Sequence, residues 1–426
     1  MIPAPSLLAS LGLLLMLTGP TQAQDRWLLG KAIKLPSEYT NQESGYFSLV
    51  AGLDGKLYIG TAKYGVNAYL LEFDPKTEKT RLVMDVHQTI GLQGTGFAAQ
   101  AKIHTRNNVG ASGKIYVASK QGYPEKGERR CDYPGGYVLV HDPKTGKNDH
   151  FGLAKAQHGI ISVIPDESRG LAYISTCSDD RPIDHTHFMV LDLKERKYHD
   201  LGDLEHMYAF IVLDPKGRAY HPVRGGTVAR YDPDAKRLER LALSIDGKPA
   251  PAQFTKNDCI QNWDTSPDRR TLHCVEMSTN GLYTFDLTGT DNTLKGKRVG
   301  DLLSDAKGKP RKTDCRAMAV GPDGTVWAAV TEHGLPDGPQ LRLVSYRPGT
   351  AAPRDHGPVG VANPNFTTFT DAAGKEKPWH HTMRKARDGT LTPWQPMGVC
   401  ATPDGSVYVL TIAPLTLLRF RPEQVR

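Results

Sequence analysis

The chain has 426 residues, 39% hydrophobic and 23% charged, a composition that suits a folded globular protein and excludes a disordered or fibrous one. A net charge of +7 favours acidic partners, but the Lys and Arg residues form no dense stripe of the kind that binds nucleic acid, so no nucleic-acid partner is expected. The six cysteines follow no zinc-finger or CxxC spacing.

The chain opens on MIPAPSLLASLGLLLMLTGPTQA, with an apolar run over 7–17 and a small-residue end at Ala23. That run is shorter than the roughly 20 residues a membrane span needs. Residues 1–23 therefore read as a signal peptide, and 24–426 as a secreted or periplasmic mature protein. Disulfides are permitted in that compartment. No other stretch is apolar enough to span a membrane.

From residue 46 onward one unit recurs. An apolar strand leads into a turn rich in Asp, Pro and Gly, and a second strand with an aromatic or apolar centre follows. The copies are YFSLVAGLDGKLYIGT (46–61), HTRNNVGASGKIYVAS (104–119), HGIISVIPDESRGLAYIST (158–176), HMYAFIVLDPKGRAYHP (206–222), CIQNWDTSPDRRTLHCVEMS (259–278), CRAMAVGPDGTVWAAV (315–330) and MGVCATPDGSVYVLT (397–411). Most continue into a third strand ending in Asp-Pro or a relative, such as AYLLEFDP and GTVARYDP. No stretch keeps a 3.6-residue period. Seven such units predict an all-β, seven-bladed β-propeller filling 24–426 as one domain and working as a monomer. The early segment RWLLGKAIKLP (26–36) supplies the outer strand that the last unit lacks, closing the ring.

In such a ring the opening residue of each first strand faces the axis. Counting back from the turns places Tyr46, His104, His158, His206, Cys259 and Cys315 at equivalent positions, with Pro396 beside Gln395 in the seventh. Three His and two Cys in register suit a divalent metal, Zn²⁺ first and Ca²⁺ or Mn²⁺ as alternatives. A disulfide between Cys259 and Cys315 is the competing reading, and a hydrogen-bonded strand end is the bland one for any single residue. Cys131 and Cys177 lie on adjacent loops as a candidate disulfide pair.

The loops after the second strands gather at the same end of the channel. SKQGYPEKGERRCDYPGG (119–136) brings Lys120, Tyr123, Arg130 and Tyr133; the next loop brings Arg181, and the fourth unit brings Arg224. Singly these are rim residues. Together they form a cationic, aromatic mouth suited to carboxylate-bearing sugars. The segment 348–395, with its His380-His381 pair, reads as a lid or as a plain excursion. No glycine-rich phosphate loop, GxSxG elbow or Ser/His/Asp order is present.

AQAKIHT, GKIYVAS followed by KQGYP, and YPGGYVLVHDPKTGK resemble the seven-bladed propeller polysaccharide lyases, which include ulvan lyases, rhamnosyl-glucuronate lyases and, more distantly, oligogalacturonate lyases. These words lie within residues 98–146, while the repeat pattern runs through most of the mature chain. The resemblance implies cleavage beside a uronic acid by β-elimination, on an acidic polysaccharide or oligosaccharide. It implies His104 as the base, Tyr133 as the acid/base tyrosine, and Lys120 where relatives carry a second histidine. Substrate contacts would then come from Arg224, Arg130, Tyr123 and Arg181, and metal ligation from His158, His206, Cys259 and Cys315. The competing functions are a non-catalytic carbohydrate- or protein-binding propeller with a structural metal and, less favoured, another propeller enzyme such as a lactonase.

Overall fold

The computed structural model describes residues 27–40, 44–179, 185–205, 210–251, 254, 262–276, 279–363, 368–370, 376–378, 383–393, 395–412 and 416–425. Among these residues strand predominates, and the α-helices are Val86–Ile90 and Pro422–Val425. Strands adjacent in the chain pair mostly antiparallel, in two four-stranded sheets, one each of five, eight and nine strands, and two two-stranded ribbons, along which the repeat units of the sequence are numbered in order. The second unit runs through Lys102–Ile103 with Asn108–Val109, Ile115–Lys120, Gly135–His141 and Asn148–Ala156. In the seventh, Pro396–Ala401, Val407–Thr411 and Thr416–Phe420 are completed by Leu28–Lys34 from the other end of the chain. That strand lies antiparallel to Thr416–Phe420, with Lys31 opposite Arg419, and runs parallel to the outer strand of the sixth unit at Leu28 opposite Val359.

Turn chemistry makes the hairpins. In TPDGS the Gly405 N–H donates to the Thr402 carbonyl, and Gly405 sits at φ 82°, a conformation that costs glycine little. Burial then grades from the axis outward. The second strand Leu57–Thr61 is buried on both faces, whereas the fourth strand Lys79–Asp85 is largely exposed. Adjacent units seal against each other through apolar seams, such as Tyr116, Val138, Ile160, Val163 and Ile174 between the second and third. Aromatic hydroxyls at the turn end fasten the same joints. Tyr116 donates to Glu167 of the next unit at 2.9 Å, and Tyr173 donates to the Gly217 carbonyl of its own neighbour at 3.3 Å.

The first strands stand side by side around the axis, where Phe47, Arg106, Phe210, Asn262, Arg316 and Met397 line a small cavity. Phe47, Phe210, Trp263 and Met397 belong to one buried cluster there, and the Phe47 and Phe210 rings meet edge to face at 4.9 Å. Arg106 crosses from the second unit to the fifth, donating to the Trp263 carbonyl at 2.7 Å and pairing with Asp264. Near their openings several first strands carry a register shift, between Ile160 and Ser162 in the third unit and between Cys315 and Ala317 in the sixth. A shift of this kind reverses which face the preceding side chains occupy. No helix among the described residues is long and apolar enough to cross a membrane.

Candidate functional site

Gln100, Lys102 and His104 alternate along the segment that enters the second unit, the two-residue period that puts side chains on one face of an extended chain. Ile103, between them, faces the opposite way, into the seam with Tyr58 and Ile115. The strand register then sets Lys102 directly opposite Lys120. Both lysines are 0% exposed and His104 is 2% exposed, an unusual burial for three basic side chains.

Their surroundings explain how the burial is tolerated. The Lys120 ammonium lies 3.6 Å from the Asp179 carboxylate, itself 6% exposed. Asp179 is held at φ 62°, and its carbonyl accepts from the Arg130 guanidinium at 2.6 Å. The Lys102 ammonium sits 4.3 Å from the centre of the Tyr123 ring and 5.3 Å from that of Tyr64, in cation–π geometry. Those two rings meet edge to face at 5.4 Å. His104 presents its ring to the edge of Phe47 at 5.4 Å, on the axial side. Tyr133, wholly buried, donates to Gln100 Oε1 at 2.8 Å. Gln100 is fixed in turn, its amide donating to the Gly135 carbonyl at 2.9 Å and its backbone N–H to His87 Nε2 at 3.1 Å.

Burial, then the ammonium groups of Lys120 and Lys102, hold the His104 imidazole well below its ordinary pKa, so the ring is neutral at physiological pH. Burial drives the Tyr133 phenol strongly upward, so it keeps its proton. One buried cluster thus holds an unprotonated imidazole, a protonated phenol and two lysine amines. That set can accept a proton, donate a proton and neutralise an anion.

Of the residues expected from the sequence, His104, Lys120 and Tyr133 come together here, with Tyr123 and Arg130 at the border. Arg224 is exposed on the turn after Ala219–Val223. Arg181, His206, Cys259 and the His380-His381 pair lie outside the described residues. His158 and Cys315 do not converge. His158 bonds Thr176 at 3.2 Å and meets the His187 ring at 5.3 Å, within its own unit. Burial, followed by His187, lowers its pKa to about 4. Cys315 packs in the apolar seam with Val275 and Leu282, its sulfur 3.7 Å from the Ala317 carbonyl. Burial pushes that thiol up. Both residues precede a register shift, so counting from the turn misassigns their direction. No group of three or more His, Cys, Asp or Glu among the described residues is placed to hold a metal ion, and His206 and Cys259, the other two expected ligands, lie outside those residues. Cys131 is exposed and forms no disulfide, so the pairing with Cys177 is corrected; its loop end turns it toward Asp132.

Three members of the pocket escaped the reading of the sequence. Gln100 and Lys102 were signalled by their two-residue spacing before His104. Asp179, from the next unit's loop, carried no local signal.

No protein-family model matches the chain, and no curated protein matches it. Solved structures do. The Swd1 β-propeller domain of Myceliophteria thermophila superposes with a TM-score of 0.55 at 11% identity, over 91% of this chain and 98% of that one. A fungal alcohol oxidase of the AA5 family, in complex with copper, gives 0.54 at 12% identity, over 92% and 77%. An extracellular domain from a B. thetaiotaomicron hybrid two-component system gives 0.52 at 11%, over 92% of this chain. The chain spans 40% of the length of that last protein. The fold is a β-propeller. These neighbours include an alcohol oxidase and a two-component-system domain, and at 11–12% identity the likeness settles architecture alone.

Proposed function

We propose that the chain is an exported propeller lyase that cleaves a uronate-containing glycan by β-elimination, its seven strand units being seven blades of one catalytic domain. The observation that carries this reading is the joint burial of neutral His104 with Lys102, Lys120 and protonated Tyr133. The C5 hydrogen of a uronate becomes acidic only once the neighbouring carboxylate is neutralised, which is the work for the ammonium groups. His104 then takes the C5 proton, the electron pair forms the C4–C5 double bond, the C4–O bond breaks, and the departing oxygen takes the Tyr133 proton. Gln100 holds the phenol in place.

The same burial favours a second reading, a carbohydrate-binding propeller in which the cluster is only structural. One assay separates the two. Incubated with ulvan, glucuronan, pectin fragments and gum arabic, the protein should generate the ultraviolet absorbance of an unsaturated uronate on at least one of them, and His104→Ala should lose it while keeping the β-sheet circular dichroism. Silence of the wild type on all four, or full turnover by His104→Ala, would sink the lyase reading.

A further inference from the structure

Six units carry an aromatic residue three positions after the turn glycine: Tyr58, Tyr116, Tyr173, Tyr220, Trp327 and Tyr408. Four of the tyrosines fasten the turn end by donating a hydroxyl proton, to Asp54 at 2.8 Å, Glu167 at 2.9 Å, the Gly217 carbonyl at 3.3 Å and Asp214 at 3.0 Å. Trp327 breaks the pattern. It is 7% exposed, its ring stacks on His356 at 5.5 Å, and its indole N–H donates to no described residue. Nor is that N–H sealed from solvent. Beside it, between the turns of the sixth and seventh units, lies a cavity of about 910 Å³. Sites of that size bury a drug-sized ligand or a few residues of an extended peptide.

Pro322, Pro403 and Pro422 line the cavity, three rings that bring no N–H of their own. Its border carries both signs of charge, but they are not equally available. Asp323 already accepts from the Thr325 N–H at 3.0 Å and hydroxyl at 2.9 Å, and Asp404 from the Ser406 N–H and hydroxyl, both at 3.0 Å. Arg354 forms no ion pair among the described residues, and Arg347 comes no closer than 4.0 Å to Asp323. The side chains still open to a ligand are therefore donors, one indole N–H and two exposed guanidinium groups. His356 covers one face of Trp327, and Val399 and Val407 belong to the same apolar seam, so the ring offers an edge and not a platform for a sugar. An extended peptide fits better. Its carbonyls accept from an indole N–H, its apolar side chains lie against proline rings, and its carboxylates pair with guanidinium.

We propose that this groove docks an extended acidic segment of a partner protein, with Trp327 donating to its backbone and Arg347 and Arg354 pairing with its carboxylates. The groove lies at the turn end of the strands, whereas His104 lies beside the other end, so the proposal stands apart from the glycan reading. A displayed library of short random peptides is selected on the mature chain and counter-selected on an Arg347→Glu/Arg354→Glu variant, and affinities of the enriched peptides are read by fluorescence anisotropy. The enriched peptides should be acidic with an apolar residue, and should bind the double variant at least about tenfold more weakly. That variant should melt like wild type, because both side chains are on the surface. Trp327→Phe, which keeps a ring and removes the N–H, should weaken the same peptides about fivefold. The proposal is overturned if no peptide is enriched, if the enriched peptides are basic or bind both proteins alike, or if Trp327→Phe binds them as wild type does. Oligoglucuronate bound in an Arg354-dependent way, with no peptide selected, would make the groove a sugar site and overturn it equally.

Discussion

His273 lies on the second strand of the fifth unit, Thr271–Val275, 1% exposed, its ring 6.5 Å from that of Tyr346 in the next unit. Neither ring nitrogen has a hydrogen-bond partner among the described residues. Burial lowers its pKa to about 4, against a small opposing pull from Asp264. The unfolded chain then binds a proton at this ring below about pH 6.5 that the folded chain refuses until about pH 4, so stability is full above 6.5 and lost as pH falls through that window. One such ring accounts for up to about 3 kcal/mol across it. Urea midpoints should drop steadily from pH 6.5 to 4, and His273→Leu should flatten the drop. An unchanged slope in that variant would place the acid sensitivity elsewhere. His104 contrasts with it: Lys120 and Lys102 add to its burial in holding the proton off, a charge arrangement that stability alone does not call for.

At the scale of the strand, the informative element is the broken first strand of the second unit, where Lys102–Ile103 and Asn108–Val109 both pair with Ile115–Lys120. The residues between them leave the ladder, and that break lets His104 turn to Phe47 and sends Arg106 across the axis to Asp264. Asp264 also accepts from the Val320 N–H at 2.8 Å, so the pair joins the second, fifth and sixth units. Arg106 and Asp264 are 19% and 21% exposed at their side chains, a partly desolvated pair. A double-mutant cycle of Arg106→Met with Asp264→Asn should give a coupling of about 1–3 kcal/mol in urea unfolding, and additivity within about 0.5 kcal/mol would show that the crossing contributes nothing. The hairpins were readable beforehand because alternation and Asp-Gly turns are local signals. His104, Lys120 and Tyr133 were singled out together by the resemblance of the words within 98–146 to the propeller lyases, all three lying within one unit. The directions of His158 and Cys315 were not readable, because a register shift leaves no mark in composition yet reverses the face. Arg106 and Asp264 stand 158 positions apart, and nothing local to either foretells their meeting.

At the scale of the molecule, a ring of like units has one weak joint, where the chain's two ends meet. Here it is closed by pairing Leu28–Lys34 with Thr416–Phe420, which buries Leu28, Ala32 and Ile33 and covers what would otherwise be an exposed edge. Polar contacts spread the closure into the first unit. Arg419 reaches Glu78 at 2.7 Å, Lys31 reaches the same carboxylate at 2.5 Å, and Gln424 donates to the Leu29 carbonyl at 2.8 Å. The axial packing of Phe47 against Phe210 and Met397 depends on every unit being present, so an opened joint loosens the floor beneath His104 as well. Removing residues 24–36 should therefore leave a chain that aggregates through the bared Thr416–Phe420 edge and binds no oligoglucuronate. Restoring the same segment after residue 426 through a flexible linker should recover a cooperative melt, because closure needs the strand in place and not its position in the chain. A deletion variant that melts like the full mature protein would show that the joint is decorative and that the ring holds itself closed by its seams.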